Sequence, residues 1–143
     1  MNRLIKVATA VIFCSIFIAL GSCATRYLDV SDVDEHNERI GERCITTEKL
    51  VIHGISRQLK QGRSTDYLVI TKPPGSDRPE ITFRESLPSG VTLTITGARR
   101  CTNCRPSHLE YIIENIGIPE YALLEIAVHE EVFRSAVRNC RKK

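Results

Sequence analysis

Six cysteines and four histidines are the residues through which this chain could do chemistry, and their spacing sorts them before any fold is considered. Cys101 and Cys104 close the tetrapeptide CTNC, a spacing that serves either a redox pair or part of a metal site. Cys44 and Cys140 stand alone, far apart, while Cys14 and Cys23 lie within and at the foot of an apolar run. His36, His53, His108 and His129 are scattered, and none stands at metal-pair spacing with another. The sequence contains no GxSxG elbow, Walker loop, HExxH or GxGxxG pattern. No catalytic residue, metal ligand or cofactor is therefore expected, and the histidines read as surface or hydrogen-bonded structural residues.

Cys23 takes its meaning from what precedes it. Arg3 and Lys6 open the chain, and no charge follows from Val7 to Ser22. A basic start followed by a short apolar core is the pattern of a secretory signal, whereas a membrane span needs about 20 apolar residues. The quartet Leu20-Gly21-Ser22-Cys23 resembles the lipobox of bacterial lipoproteins. The resemblance implies that residues 1–22 are removed as a signal helix and that Cys23, the new first residue, carries diacylglycerol and a fatty acid such as palmitate. Two or more acyl chains anchor a protein stably. Ala24 occupies the position where the family uses aspartate for inner-membrane retention, which implies the periplasmic face of the outer membrane.

Loss of residues 1–22 removes two basic residues and no acidic one, leaving 18 basic against 17 acidic, a balance of +1. That excludes the clustered basic excess of a nucleic-acid binder. Export also changes the remaining cysteines, because Cys44, Cys101, Cys104 and Cys140 meet an oxidising compartment and read as two disulfides with three possible connectivities. Bonds from Cys44 and Cys140 to the two members of CTNC are expected, since they close long loops and constrain the unfolded chain most; which member takes which partner stays open. Such bonds would gather Arg99, Arg100 and Arg105 with Arg138, Arg141, Lys142 and Lys143 into one cationic patch, the candidate surface for an anionic lipid, cell-wall polymer or acidic partner. Redox use of CTNC is disfavoured by the strand-like run before it and Pro106 after it. Zinc on these cysteines with His108 is disfavoured by export.

The elements that hold these residues are mainly strands. Residues 23–42 carry six acidic residues against one arginine between Tyr27 and Glu42, and read as an acidic tether; residues 43–143 form the domain. In GVTLTITG, Val91, Leu93 and Ile95 alternate with threonines, and similar runs occur in EITF, HLEYIIE, KLVIHGI and DYLVIT. Turns rich in Gly, Pro, Asp and Ser separate them. The class is all-β, a small antiparallel barrel or sandwich. LPSG feeding an alternating strand is similar to exported SH3-like and OB-like barrels, which implies architecture only. From Glu120 to Cys140 two readings compete. A helix would align Glu130, Arg134 and Arg138; strands would alternate Leu124, Ile126 and Val128, with Val132–Val137 returning as a hairpin, and strands are preferred because no capping residue opens the helix.

The expected function is that of a lipid-anchored, non-enzymatic envelope protein with a binding or structural role. Two alternatives stand beside it: an inhibitor of a cell-wall-active enzyme that inserts the KPPGSDRP turn, and a thiol-disulfide oxidoreductase using CTNC.

Overall fold

A computed structural model describes residues 25–58, 64–114, 116 and 122–142. The expected signal helix, Cys23 and Lys143 lie outside the described residues. Among the described residues, nine strands and two short helices follow one another: β1 (Tyr27–Asp29), α1 (Asp34–Asn37), β2 (Glu42–Thr46), β3 (Leu50–Ile55), β4 (Tyr67–Thr71), β5 (Ile81–Leu87), β6 (Thr92–Cys101), β7 (Leu109–Ile113), β8 (Ile126–His129), α2 (Glu130–Ala136) and β9 (Val137–Lys142). The all-β class holds, in a single nine-stranded sheet of order β5-β3-β4-β8-β7-β6-β2-β9, with β1 pairing to β6. Every pairing is antiparallel except β4 with β8, which is parallel. This exception puts β8 between β4 and β7, paired antiparallel to β7, the strand before it in the chain, and parallel to β4.

Alternation builds the core. Leu93 and Ile95 of β6, Ile126 and Val128 of β8, Leu68 and Ile70 of β4, and Leu50 and Ile52 of β3 are all buried on one side of the sheet. Phe133 and Ala136 of α2 pack on the same core, and the rings of Tyr111 and Phe133 lie 4.9 Å apart. At roughly 25 cal/mol per Å² of apolar surface, side chains such as these supply most of the folding drive. In LPSG, Gly90 adopts φ +85, a conformation that only glycine takes cheaply, which turns the chain into β6.

Three expectations change. The preferred hairpin at Val132–Val137 is a helix over Glu130–Ala136 flanked by strands, so each competing reading describes part of the segment. Glu130 and Arg134 make the i, i+4 ion pair the helical reading required, and this pair compensates for the missing side-chain cap. The acidic tether does not extend to residue 42. Tyr27–Asp29 pairs with Arg99–Cys101, Val30 is buried and Ile40 packs on the core. The unpaired edge of β6 supplies main-chain partners that acidity alone could not reveal.

The disulfides also pair differently. Cys44 bonds Cys140 across 96 positions, and Cys101 bonds Cys104 within CTNC. Sheet register explains the first: Arg43 faces Arg141 and Ile45 faces Arg138 across β2 and β9, which brings the two cysteines between them together. CTNC sits at the far end of β6, out of reach of both. Neither of the expected bonds to CTNC forms: strand register, not loop length, chose the partners.

Candidate functional site

The side of the sheet opposite the core carries a pocket of about 290 Å³. Its wall comes from strands that are distant in sequence: His53 of β3, Tyr67 and Thr71 of β4, His129 of β8, Glu110 of β7 and Tyr27 of β1. Register places the central groups in one row. Arg99 on β6 faces Glu110 on β7, which faces His129 on β8, and Asp29 on β1 faces Arg99 from the other side. His108, two residues before Glu110, projects to the same side because strand side chains alternate with period two.

Glu110 is the hub. Its side chain is 2% exposed, and a buried carboxylate is costly unless it is paired. Arg99 Nε donates to its Oε2 at 2.7 Å. The Nε2 atoms of His108 and His129 each stand 3.2 Å from its Oε1, and the Tyr27 hydroxyl donates to that oxygen at 3.5 Å. Burial alone would raise the Glu110 carboxyl; hydrogen bonds from His129 and Arg99, with the Arg99 charge, override it and bring the carboxyl down to about 2. The group is therefore a fixed anion near neutral pH, suited to holding a cation rather than to exchanging protons.

Arg99 is fixed with equal care. Its guanidinium lies 4.0 Å over the Tyr27 ring, and its Nη1 donates to Glu125. Its Nη2 is buried without a hydrogen-bond partner. Burial first, and then the Glu110 charge, push the Tyr27 phenol up to about 12, so Tyr27 stays protonated and can donate. The rings of His108 and His129 stack, with centroids 4.3 Å apart and planes 14° apart.

A third histidine lies deeper. His53 is 1% exposed, and its Nε2 takes the Thr71 hydroxyl at 3.0 Å and the Ser76 N–H at 3.4 Å. Its Nδ1 meets no hydrogen-bond partner, so no carboxylate orients the ring as a general base needs. Burial, and then the Arg84 charge, hold its pKa below the usual histidine value. The loop KPPGSDRP folds over this ring: Gly75 takes φ +84, and a Cβ there would meet His53 Nε2 at 2.5 Å. Arg84 ties the loop down through the Ser76 carbonyl and Asp77. The turn expected to project into a foreign active site is thus laid against the body.

The expected cationic patch does not form as one surface. Arg138, Arg141 and Lys142 lie on β9, where Arg141 faces Arg43 and Arg43 faces Thr94. Arg99 is five residues further along β6, about 17 Å away at the usual strand rise. Arg99 is also 12% exposed and committed to Glu110 and Glu125, so it belongs to the pocket rather than to a patch. Arg100 and Arg105 stay exposed at the opposite end, joined there by Arg26.

Sequence reasoning missed the pocket entirely, because its histidines are separated in the chain and meet only through the placement of β8. One local signal was present: in HLEY, His108 and Glu110 stand two apart on a strand, hence on one face. No family model, curated protein or solved structure matches the chain.

Proposed function

We propose that the chain is a lipid-anchored binding protein of the bacterial cell envelope, tethered through Cys23, with the pocket around Glu110 as its ligand site. The observation that carries this reading is the cross-strand row Arg99–Glu110–His129, which commits a buried, ionised carboxylate to the floor of an open pocket. Such a hub holds polar ligands, while its fixed charge and the unoriented His53 favour binding over catalysis. The lipobox-like Leu20-Gly21-Ser22-Cys23 supports the anchor. Arg26 is held to the CTNC loop, its N–H donating to Asn103 Oδ1 at 2.7 Å and its carbonyl accepting from Thr102 N–H at 2.9 Å. Three residue steps separate it from Cys23, a reach of about 11 Å. Exposed Arg26, Arg100 and Arg105 then face the headgroups of the anchoring leaflet, the outer membrane's periplasmic side, with each basic residue near an anionic surface contributing about 1 kcal/mol.

Mass spectrometry of the membrane-extracted protein tests the anchor: the expected mass lacks residues 1–22 and adds a diacylglycerol and acyl chain at Cys23. An unmodified Cys23 overturns it. The pocket is tested by filling it with Val69→Phe and comparing thermal shifts of both proteins across a panel of polar metabolites and ions. A compound that stabilises the native chain and leaves Val69→Phe unmoved supports the site, and stabilisation of both equally refutes it.

The Cys101–Cys104 bond favours a second reading, thiol–disulfide exchange. Cys104 is half-buried at the pocket rim beside His108, whereas Cys101 is fully buried. A substrate thiolate would attack Cys104 Sγ, and the electron pair of the broken bond would leave on Cys101 Sγ, toward which the Cys104 N–H points at 3.1 Å. A second substrate thiolate then resolves the mixed disulfide, so the substrate dithiol is oxidised as the pair is reduced. Thiol titration after mild dithiol treatment decides it: two new thiols at Cys101 and Cys104 support exchange, and two inert bonds exclude it.

A further inference from the structure

We infer that His108, His129 and Glu110 form a site for one divalent transition-metal ion, with zinc the first choice. The inference names a ligand for the proposed pocket and rests on that pocket being the binding site. Each of the two Nε2 atoms is 3.2 Å from the same oxygen, Glu110 Oε1, and the three donor atoms all lie within 4.8 Å of one another. A tetrahedral ion with bonds of about 2.0–2.1 Å keeps its ligands about 3.4 Å apart, so the spacing of each nitrogen from the carboxylate already suits the ion.

Hydrogen-bond accounting points the same way. His108 Nδ1 stands 3.3 Å from the Pro106 carbonyl, which can only accept, so this contact favours a proton on that nitrogen and leaves Nε2 to the pocket. That Nε2 faces Glu110 Oε1 at 3.2 Å, and because a carboxylate oxygen only accepts, this line is one that a cation, whether a proton or a metal ion, occupies. A ring nitrogen donating to a backbone carbonyl while the other faces the ion is the usual support of a metal-binding histidine, and Arg99 on Oε2 orients the carboxylate in the same manner.

Two imidazoles and one carboxylate suit zinc, nickel or copper, whereas calcium and magnesium prefer oxygen alone. The side chains of His108 and His129 are 27% and 39% exposed, so the ion can enter from the pocket and keep a water on that side. Among the described residues, the two other clusters with metal-ligand geometry, Cys101–Cys104–His108 and Glu42–Cys44–Cys140, have their sulfurs bound in disulfides and offer no thiolate. The stacked rings add a movement. Planes 14° apart with centroids 4.3 Å apart cannot both contain one ion, so binding turns one imidazole and opens the stack.

The test uses the full chain, oxidised, purified in detergent and stripped by a chelator, then titrated with zinc chloride against a chromophoric chelator. One zinc per chain is expected. His108→Gln and His129→Gln, both at partly exposed positions that tolerate the change, each weaken binding at least about tenfold. Histidine Cε1–H resonances provide the second readout: zinc shifts those of His108 and His129 and leaves His36 and His53 in place. Unchanged zinc binding in the double variant, or binding lost in Cys101→Ala/Cys104→Ala instead, overturns the site. A chain that carries lipid and binds a polar metabolite in the pocket yet takes no zinc fails this inference alone.

Discussion

Removing each disulfide in turn separates a structural staple from a bond free to open. In the chain-entropy treatment, the bond between Cys44 and Cys140 closes a loop spanning 96 positions and contributes about 4.7 kcal/mol. The bond between Cys101 and Cys104 spans three positions and contributes about 1.6 kcal/mol by the same relation. Cys44 and Cys101 are both fully buried, so truncation to alanine costs each pair a similar amount of packing, and that cost cancels in the comparison. Cys44→Ala/Cys140→Ala should therefore lose about 3 kcal/mol more than Cys101→Ala/Cys104→Ala. Urea unfolding followed by far-ultraviolet circular dichroism, with both variants and the parent at one pH, measures the difference. β9 also holds the sheet's far edge through β2 alone, so the first variant should lose protection from amide exchange along both strands. Equal losses for the two variants, or a larger loss for the CTNC pair, would refute the reasoning.

Glu110→Ala strands the buried Arg99 with Glu125 as its remaining carboxylate, and a loss of about 3 kcal/mol is expected; adding Arg99→Met should recover much of it in a double-mutant cycle. Because the folded Glu110 carboxyl sits at about 2 against an ordinary 4.5, its stabilising contribution is complete above pH 4.5 and drains away as pH falls toward 2. Urea midpoints of metal-free protein at pH 6, 4 and 3 should show this decline, and Glu110→Gln should flatten it. Phe133→Ala empties the point where α2 meets Tyr111 and should cost about 3–5 kcal/mol, read by the same denaturation. Gly75→Ala places a methyl against His53 in a left-handed turn, so the KPPGSDRP loop should lift, with faster proteolysis there while the core stays cooperative.

Local chemistry was legible in the sequence wherever it acts through neighbours. Alternation in GVTLTITG and HLEYIIE placed Leu93, Ile95, Leu109, Tyr111 and Ile113 in the core, because a strand's period of two needs no knowledge of its partners. The all-β class and the turn at Gly90 follow from the same local rules, and that all four domain cysteines are disulfide-bonded, though not which partner each takes, follows from their even number. The chain's order also carried half of the site, since His108 and Glu110 share a face by spacing alone. Tertiary structure decided what depends on which strand lies beside which. The antiparallel pairing of β7 with β8 brings His129 opposite Glu110, the parallel pairing of β4 with β8 sets Tyr67 and Thr71 beside them, and the β2–β9 register joins Cys44 to Cys140 and leaves CTNC to close on itself. It also converts Arg99 from a surface charge into the buried partner of a carboxylate that alternation alone would have placed in water. Pairing is selected by the total apolar surface that a sheet order buries, a sum over the whole molecule to which any one residue contributes little. The ends of a strand are written in its own residues, while its neighbours are chosen by all the others.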